Sequence, residues 1–170
     1  MKRLTRWLGV GLGVGLSIWL GVMALATSPA SAQEKLLSVR TSQDFELALE
    51  QVQDVLKQHG FSVAHIQKCD SGLQGMGYKT DDYKIVFFGR VEEVRALSKQ
   101  YPDLVPLFPF KLAIYTEGDA TVLSVLNPES VAPLLDADPA LQQQLQAWGK
   151  EFRAVLADLQ TVKVAQATLQ

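Results

Sequence analysis

Two runs rich in apolar and β-branched residues, at positions 110–116 and 121–126, constrain the fold of this chain more than any other feature. Only four residues separate them, and Gly118 is one of the four. A connection this short is typical of a β-hairpin, and it cannot supply the long crossover that a parallel pair needs. The sequence therefore predicts two neighbouring antiparallel strands.

Further strands and helices are predicted before and after this hairpin. Apolar patterning predicts strands at residues 36–40, 61–66 and 83–88. Helical spacing predicts helices at residues 41–59, 91–100 and 139–159, and the pair Asn127-Pro128 indicates a short helix after the hairpin. The order β-α-β-β-α-β-β-α-α is an α+β pattern, with helices on one face of a largely antiparallel sheet.

The first helix has recognisable ends. Thr41 followed by Asp44 fits a loose capping box, so we expect the helix to begin at Thr41. Gly60 can adopt positive φ just past the last turn and is expected to end it. His59 lies where a positive charge favours the helix dipole, so we interpret it as a helix-end residue.

Residues 1–32 have the outline of a secretory signal peptide. Basic residues precede an apolar run at positions 7–26, and the small-residue triplet at positions 30–32 predicts cleavage before Gln33. We therefore expect an exported protein, in the periplasm or an equivalent lumenal or extracellular space. The apolar run is also long enough to span a bilayer, so a membrane anchor formed by residues 7–26 stays open as an alternative.

Charge and cysteine content limit the classes of function that this chain can have. Without residues 1–32 the chain has 13 basic and 18 acidic side chains, a net charge of −5. Such a chain lacks the basic footprint of phosphate binding, so we expect no nucleic-acid partner. Cys69 is the one cysteine and has no partner for an internal disulfide.

A glycine-rich stretch at residues 69–82 is predicted to be the longest loop and to adjoin a functional surface. It lacks the lysine and hydroxyl residue of a phosphate-binding loop, so turn formation explains its glycines better. Because glycines permit close approach of a ligand, the candidate binding surface is assigned to Gly72, Gly75, Met76, Gly77 and Tyr78.

The last predicted helix has one apolar stripe, with residues spaced alternately by four and three. We expect this stripe to dock on its own domain or on a second copy, and it is a candidate partner-binding face. The candidate residues are Leu141, Leu145, Trp148 and Phe152.

Several motifs resemble those of the DUF302 family, whose biochemical function is not established. They are residues 60–63 (Gly-Phe-Ser-Val), 83–86 (Tyr-Lys-Ile-Val), 108–115 (Phe-Pro-Phe-Lys-Leu-Ala-Ile-Tyr) and 121–128 (Thr-Val-Leu-Ser-Val-Leu-Asn-Pro). The resemblance implies a curved antiparallel sheet with two main helices on one face, comparable to the TATA-binding-protein fold. It also allows a homodimer. The implied organisation is a common domain at residues 33–138 and a helical extension at 139–170.

The sequence departs from the family pattern at two places. Many members have Gly-Asn-Pro after the third strand and Leu-Pro-Cys before the fourth. Here residues 89–91 are Gly-Arg-Val and residues 108–110 are Phe-Pro-Phe. A thiol or metal role tied to the missing cysteine therefore does not carry over to this chain.

Two functional hypotheses follow. The first is a noncatalytic module that binds a small apolar ligand or a protein partner, and it assigns no catalytic residue, metal ligand or cofactor. The second is a small redox, metal-handling or haem-handling protein that uses Cys69 and His65, although soft-metal sites usually need three or four ligands.

Overall fold

A computed structural model describes the backbone of residues 34–167 and the side chains of residues 34–160. In this part of the chain, a five-stranded sheet has the order β1-β5-β4-β3-β2, with every neighbouring pair antiparallel. The strands are β1 (Leu36–Thr41), β2 (Ser62–Lys68), β3 (Tyr83–Gly89), β4 (Phe110–Glu117) and β5 (Ala120–Leu126). The α-helices are α1 (Phe45–Gln58), α2 (Cys69–Gly75), α3 (Val91–Gln100) and α4 (Pro139–Ala167). Two 3₁₀ helices, Pro102–Leu107 and Pro128–Leu134, complete the α+β fold.

The β4–β5 hairpin is confirmed. Glu117 pairs with Ala120, so two residues make the turn. Gly118 has a φ of +59°, the left-handed conformation that such a turn requires and that glycine adopts without strain.

The first helix begins later than predicted. Thr41 is the last residue of β1 and pairs with Thr121. The prediction that the helix begins at Thr41 is therefore wrong. Asp44 caps α1 instead, because its Oδ1 accepts a hydrogen bond of 2.9 Å from the Glu46 amide. The predicted end is confirmed, since α1 stops before Gly60, whose φ is +75°.

The predicted loop at residues 69–82 is also partly wrong, because its first half is helix α2. Asp70 is buried, and its carboxylate accepts hydrogen bonds from the amides of Ser71 and Tyr83. Burial alone would raise the pKa of Asp70, but these hydrogen bonds, one more from the Ser71 hydroxyl and the nearby Lys84 charge together lower the pKa. The carboxylate thus links the first turn of α2 to the beginning of β3.

One face of the sheet forms the core with α1 and α4. Its central side chains include Val86, Leu112, Ile114 and Leu123, which are fully buried. Helix α4 packs against β1, α1 and the second 3₁₀ helix, and it extends to Ala167 rather than ending at residue 159. Asp138 caps α4 by accepting a 2.7 Å hydrogen bond from the Leu141 amide.

The opposite face, which we call the open face, lies outside this core. Because side chains alternate along a strand, the neighbours of the core residues point to it. Most of them are only partly buried, although Val122 is buried, and they do not belong to the core cluster. The open face includes Tyr83, Ile85, Phe87, Ala113 and Tyr115.

No helix in the described part of the chain is long and apolar enough to cross a membrane. The segment predicted to be a signal peptide, and its alternative as an anchor at residues 7–26, lie outside the described residues. Cleavage and export therefore stay predictions.

Candidate functional site

The apolar stripe of α4 is buried in its own chain. Leu141, Leu145, Trp148 and Phe152 are each at most 3% exposed. The Trp148 and Phe152 rings lie 5.0 Å and 4.9 Å from the Phe110 ring, centroid to centroid. The stripe therefore docks on its own domain, which is one of the two docking sites expected from the sequence. These side chains are not available to a partner.

Polar contacts attach α4 to the beginning of α3. The Arg90 guanidinium donates to both Glu151 carboxylate oxygens at 3.0 Å and 3.2 Å, and to the His59 carbonyl at 2.9 Å. It also lies over the Phe61 ring, 4.1 Å from the centroid. Trp148 Nε1 adds a 3.1 Å hydrogen bond to Glu93 of α3. One side of α3 is thus fixed to α4.

The other side of α3 faces an apolar cavity of about 600 Å³, which we call the α3 cavity. It lies between the first residues of β2, helix α3 and the segment that leads into β4. Its lining is mostly apolar, with hydroxyls and one guanidinium added. The lining residues are Ser62, Val63, Ala64, Gly89, Val91, Val94, Arg95, Ser98, Val105, Phe108 and Pro109.

Apolar side chains remain exposed around the α3 cavity. Helix α3 contains no fully buried residue, and Val91 is 61% exposed. Val105, across the cavity, is 53% exposed. At Gly89 an added Cβ would come within 3.3 Å of the Val94 side chain, so the glycine lets the helix approach the strand end. Val91, Val94 and Ser98 share one face of α3, and their spacing is a sequence signal for this one wall of the cavity.

Phe108 forms a fixed part of the cavity wall. Its ring packs edge-on against Trp148 at 5.7 Å and against Phe110 at 5.3 Å, centroid to centroid. The two segments that depart from the family pattern, residues 89–91 and 108–110, therefore meet here, since both contribute lining residues.

The predicted glycine-rich surface lies elsewhere. All five of its residues are exposed, with Met76 68% and Tyr78 63% exposed. Gly77 adopts a φ of +89° after α2. None of the five lines the α3 cavity. The structure thus presents an exposed surface at Gly72, Gly75, Met76, Gly77 and Tyr78, separate from the apolar cavity.

A second cavity, of about 450 Å³, lies on the open face directly after that surface. Residues 80–82 form one wall, and Tyr83, Ala113 and Tyr115 form the floor. The two tyrosine rings are edge-to-face at 6.4 Å. Burial, and then the nearby Cys69, raise the pKa of Tyr83.

His65 and Cys69 both lie next to Gln67. His65 Nε2 is 3.4 Å from the Gln67 side-chain oxygen, and Cys69 Sγ is 3.9 Å from the Gln67 carbonyl. Burial and the negative charge of Asp70 raise the pKa of the Cys69 thiol, which lowers its thiolate fraction near neutral pH. Among the described residues, no group of three or more His, Cys, Asp or Glu side chains could hold a metal ion.

The fold and these surfaces define an open antiparallel sheet with helices on one face and an apolar cavity at one edge. A family model described as "Domain of unknown function DUF302" matches residues 37–159, and the chain belongs to this family. The matched region includes the buried stripe of α4.

A solved structure supports the fold. This chain is similar to an uncharacterized conserved DUF302 protein from Bacillus stearothermophilus, with a TM-score of 0.67 and 22% identity. The similarity covers 72% of this chain and 96% of that chain. No curated protein matches the sequence.

Proposed function

We propose that this protein is a noncatalytic binding module that holds a small apolar ligand in the α3 cavity. The observation that carries the proposal is the exposure of Val91 and Val105 at the mouth of a preformed apolar cavity. Ligand sites in proteins typically have volumes of about 300–1,000 Å³ and mostly apolar walls. The α3 cavity, at about 600 Å³, agrees with both properties.

The driving force is burial of apolar surface. A ligand that covers Val91, Val94 and Val105 removes their side chains from water, at about 25 cal/mol for each Å² of apolar surface. Phe108 is already held by aromatic neighbours, so little conformational entropy is lost there on binding.

Polar groups at the wall can orient the ligand. Ser62 and Ser98 supply hydroxyls, and Arg95 supplies a guanidinium that is paired with the exposed Glu92 at 3.0 Å. Among the described residues, the lining includes no carboxylate, imidazole or thiol. Neither serine therefore has a general base beside it in the wall, and this arrangement supports binding rather than acyl transfer.

Titration with Nile red, an uncharged apolar fluorophore, tests the proposal. We expect saturable binding with increased emission, because the apolar wall gives the dye a less polar environment than water. Ala64→Trp would fill the cavity and weaken binding about tenfold or more, or about 1.4 kcal/mol. Ala96→Trp is the matched control, because Ala96 is an exposed α3 residue outside the lining.

Two results would overturn the proposal. One is the absence of saturable binding to the wild-type protein. The other is an Ala64→Trp variant that binds the dye as tightly as Ala96→Trp. Thermal unfolding of both variants serves as the check that each is folded.

We also place this binding outside the cytoplasm. The support is the signal-peptide pattern of residues 1–32. Intact-mass measurement of the exported protein should give a chain that begins at Gln33. A full-length chain that stays in membranes after a carbonate wash would instead indicate an anchor at residues 7–26.

A further inference from the structure

The polar side chains in the wall of the α3 cavity all offer hydrogen-bond donors. Among the described lining residues, Arg95 is the one that carries a charge, and this charge is positive. The hydroxyls of Ser62 and Ser98 complete the polar groups, and neither forms a side-chain hydrogen bond within the described part of the chain. A purely apolar ligand would leave these three groups without a partner. The wall is therefore suited to a ligand that also carries an acceptor.

Arg95 is only weakly held by its present partner. Its Nη1 donates to both carboxylate oxygens of Glu92 at 3.0 Å, and its other N–H groups make no hydrogen bond with the described residues. The Arg95 side chain is 60% exposed and that of Glu92 is 81% exposed. Exposed ion pairs of this kind contribute little to stability, so a carboxylate on a ligand can replace Glu92 at small cost.

The charges along α3 leave its cavity side positive. Lys99 follows Arg95 by one turn, is exposed, and has no ion-pair partner among the described side chains. Glu93 is committed to α4, because its Oε1 accepts hydrogen bonds from Trp148 Nε1 at 3.1 Å and from the Gln144 amide at 3.3 Å. Two positive groups thus face one exposed carboxylate, that of Glu92, at the rim of the cavity.

We propose that the α3 cavity holds a single-chain amphiphile with a terminal carboxylate, of the fatty-acid class. This inference rests on the proposed function and names the chemistry of its ligand. The alkyl chain would lie against the apolar wall that includes Val63, Val94 and Val105. The carboxylate would reach Arg95, whose planar guanidinium matches both carboxylate oxygens. A monoanion balances the excess positive charge at the rim, which an uncharged ligand does not.

Decanoate and methyl decanoate test this inference, because they share one alkyl chain and differ in charge. The ester is the more apolar molecule, so apolar burial alone would favour it. Charged hydrogen bonds to Arg95 should reverse that order, and we expect decanoate to bind about tenfold more tightly than the ester. Decylamine, with the opposite charge, should bind more weakly than either. Isothermal titration calorimetry of the whole protein measures the three dissociation constants without the dye.

Two variants should move decanoate affinity in opposite directions. Arg95→Gln should abolish the preference for decanoate over its ester. Glu92→Gln should tighten decanoate binding about two- to fivefold, because Arg95 loses its competing partner. A misfolded variant could not produce this gain. Lys57→Gln and Glu50→Gln are the matched controls, since they make the same charge changes at exposed positions of α1 and should keep the wild-type preference.

The outcomes separate this inference from the proposed function. Saturable Nile red binding that Ala64→Trp weakens, together with an ester that binds as tightly as decanoate, would overturn the carboxylate ligand and leave the apolar site in place. An Arg95→Gln variant that keeps the preference for decanoate would also overturn it. Absence of Nile red binding would overturn the proposed function and, with it, this inference.

Discussion

Helices α3 and α4 are both amphipathic, yet their apolar side chains have opposite environments. The apolar stripe of α4 is buried, whereas α3 has no fully buried residue and its Leu97 packs only partly buried against the core. Helix α4 lies over the sheet and packs on β1 and α1. Helix α3 lies at the β2–β3 edge, and its main packing partner is the first 3₁₀ helix. Helical spacing alone therefore identifies an apolar face, but position relative to the sheet decides whether that face builds the core or lines a cavity.

Truncating an α4 side chain gives the largest expected effect. Phe152→Ala should lower the free energy of unfolding by about 3–5 kcal/mol, because it leaves a hole among fully buried aromatic rings. Urea denaturation measures this loss. A loss below about 1 kcal/mol, the scale of an ordinary surface change, would contradict the placement of α4 in the core.

The contact between the two helices should have an intermediate effect. Arg90→Gln removes charged hydrogen bonds to Glu151 and the His59 carbonyl, and should cost about 1–3 kcal/mol. Arg95→Gln is the matched control on α3, because Arg95 pairs only with the exposed Glu92 and should cost less than about 1 kcal/mol. Equal losses in the two variants would mean that the Arg90 contacts do not hold α3 to α4.

A change on the cavity side of α3 should separate binding from stability. Val91→Ser should alter the free energy of unfolding by no more than about 0.5 kcal/mol, because Val91 is 61% exposed. Nile red affinity should fall, since an apolar wall residue becomes polar. Unchanged affinity for Nile red, or a loss of stability comparable with that of Phe152→Ala, would contradict the conclusion that α3 lines a cavity whereas α4 builds the core.

The smallest expected effect concerns Cys69, which belongs to neither helix. Because its pKa is raised, the rate of alkylation by iodoacetamide should rise with pH at a higher midpoint than for a free cysteine peptide. Asp70→Asn should move that midpoint down, because a nearby negative charge is removed. A midpoint below that of the peptide would favour the redox hypothesis.

The sequence predicted the elements whose pattern is local. The β4–β5 hairpin, the α+β order and the burial of the Trp148 stripe follow from spacing and turn length. The start of α1 and the presence of helix α2 could not be predicted from local spacing. The first depends on the pairing of Thr41 with β5, and the second on the contacts of Asp70.

The α3 cavity could not be predicted in the same way. Its walls come from residues 62–64, 89–98 and 105–109, which only the folded chain brings together. The glycines at positions 72, 75 and 77 indicated conformational freedom, and the structure shows an exposed surface there. The apolar stripe of α4 indicated docking on its own domain and, as an alternative, a partner face; burial of that stripe leaves the weaker α3 face as the accessible one.

The most direct test of the binding proposal is the change in backbone amide chemical shifts when Nile red is titrated into the protein. We predict that the changes concentrate at the beginning of β2, on the α3 face that includes Val94, and around Phe108. Amides of the buried α4 stripe beyond Phe152 should change little. Saturating changes at Met76 and Tyr78 or across the open face, with none on α3, would contradict the account.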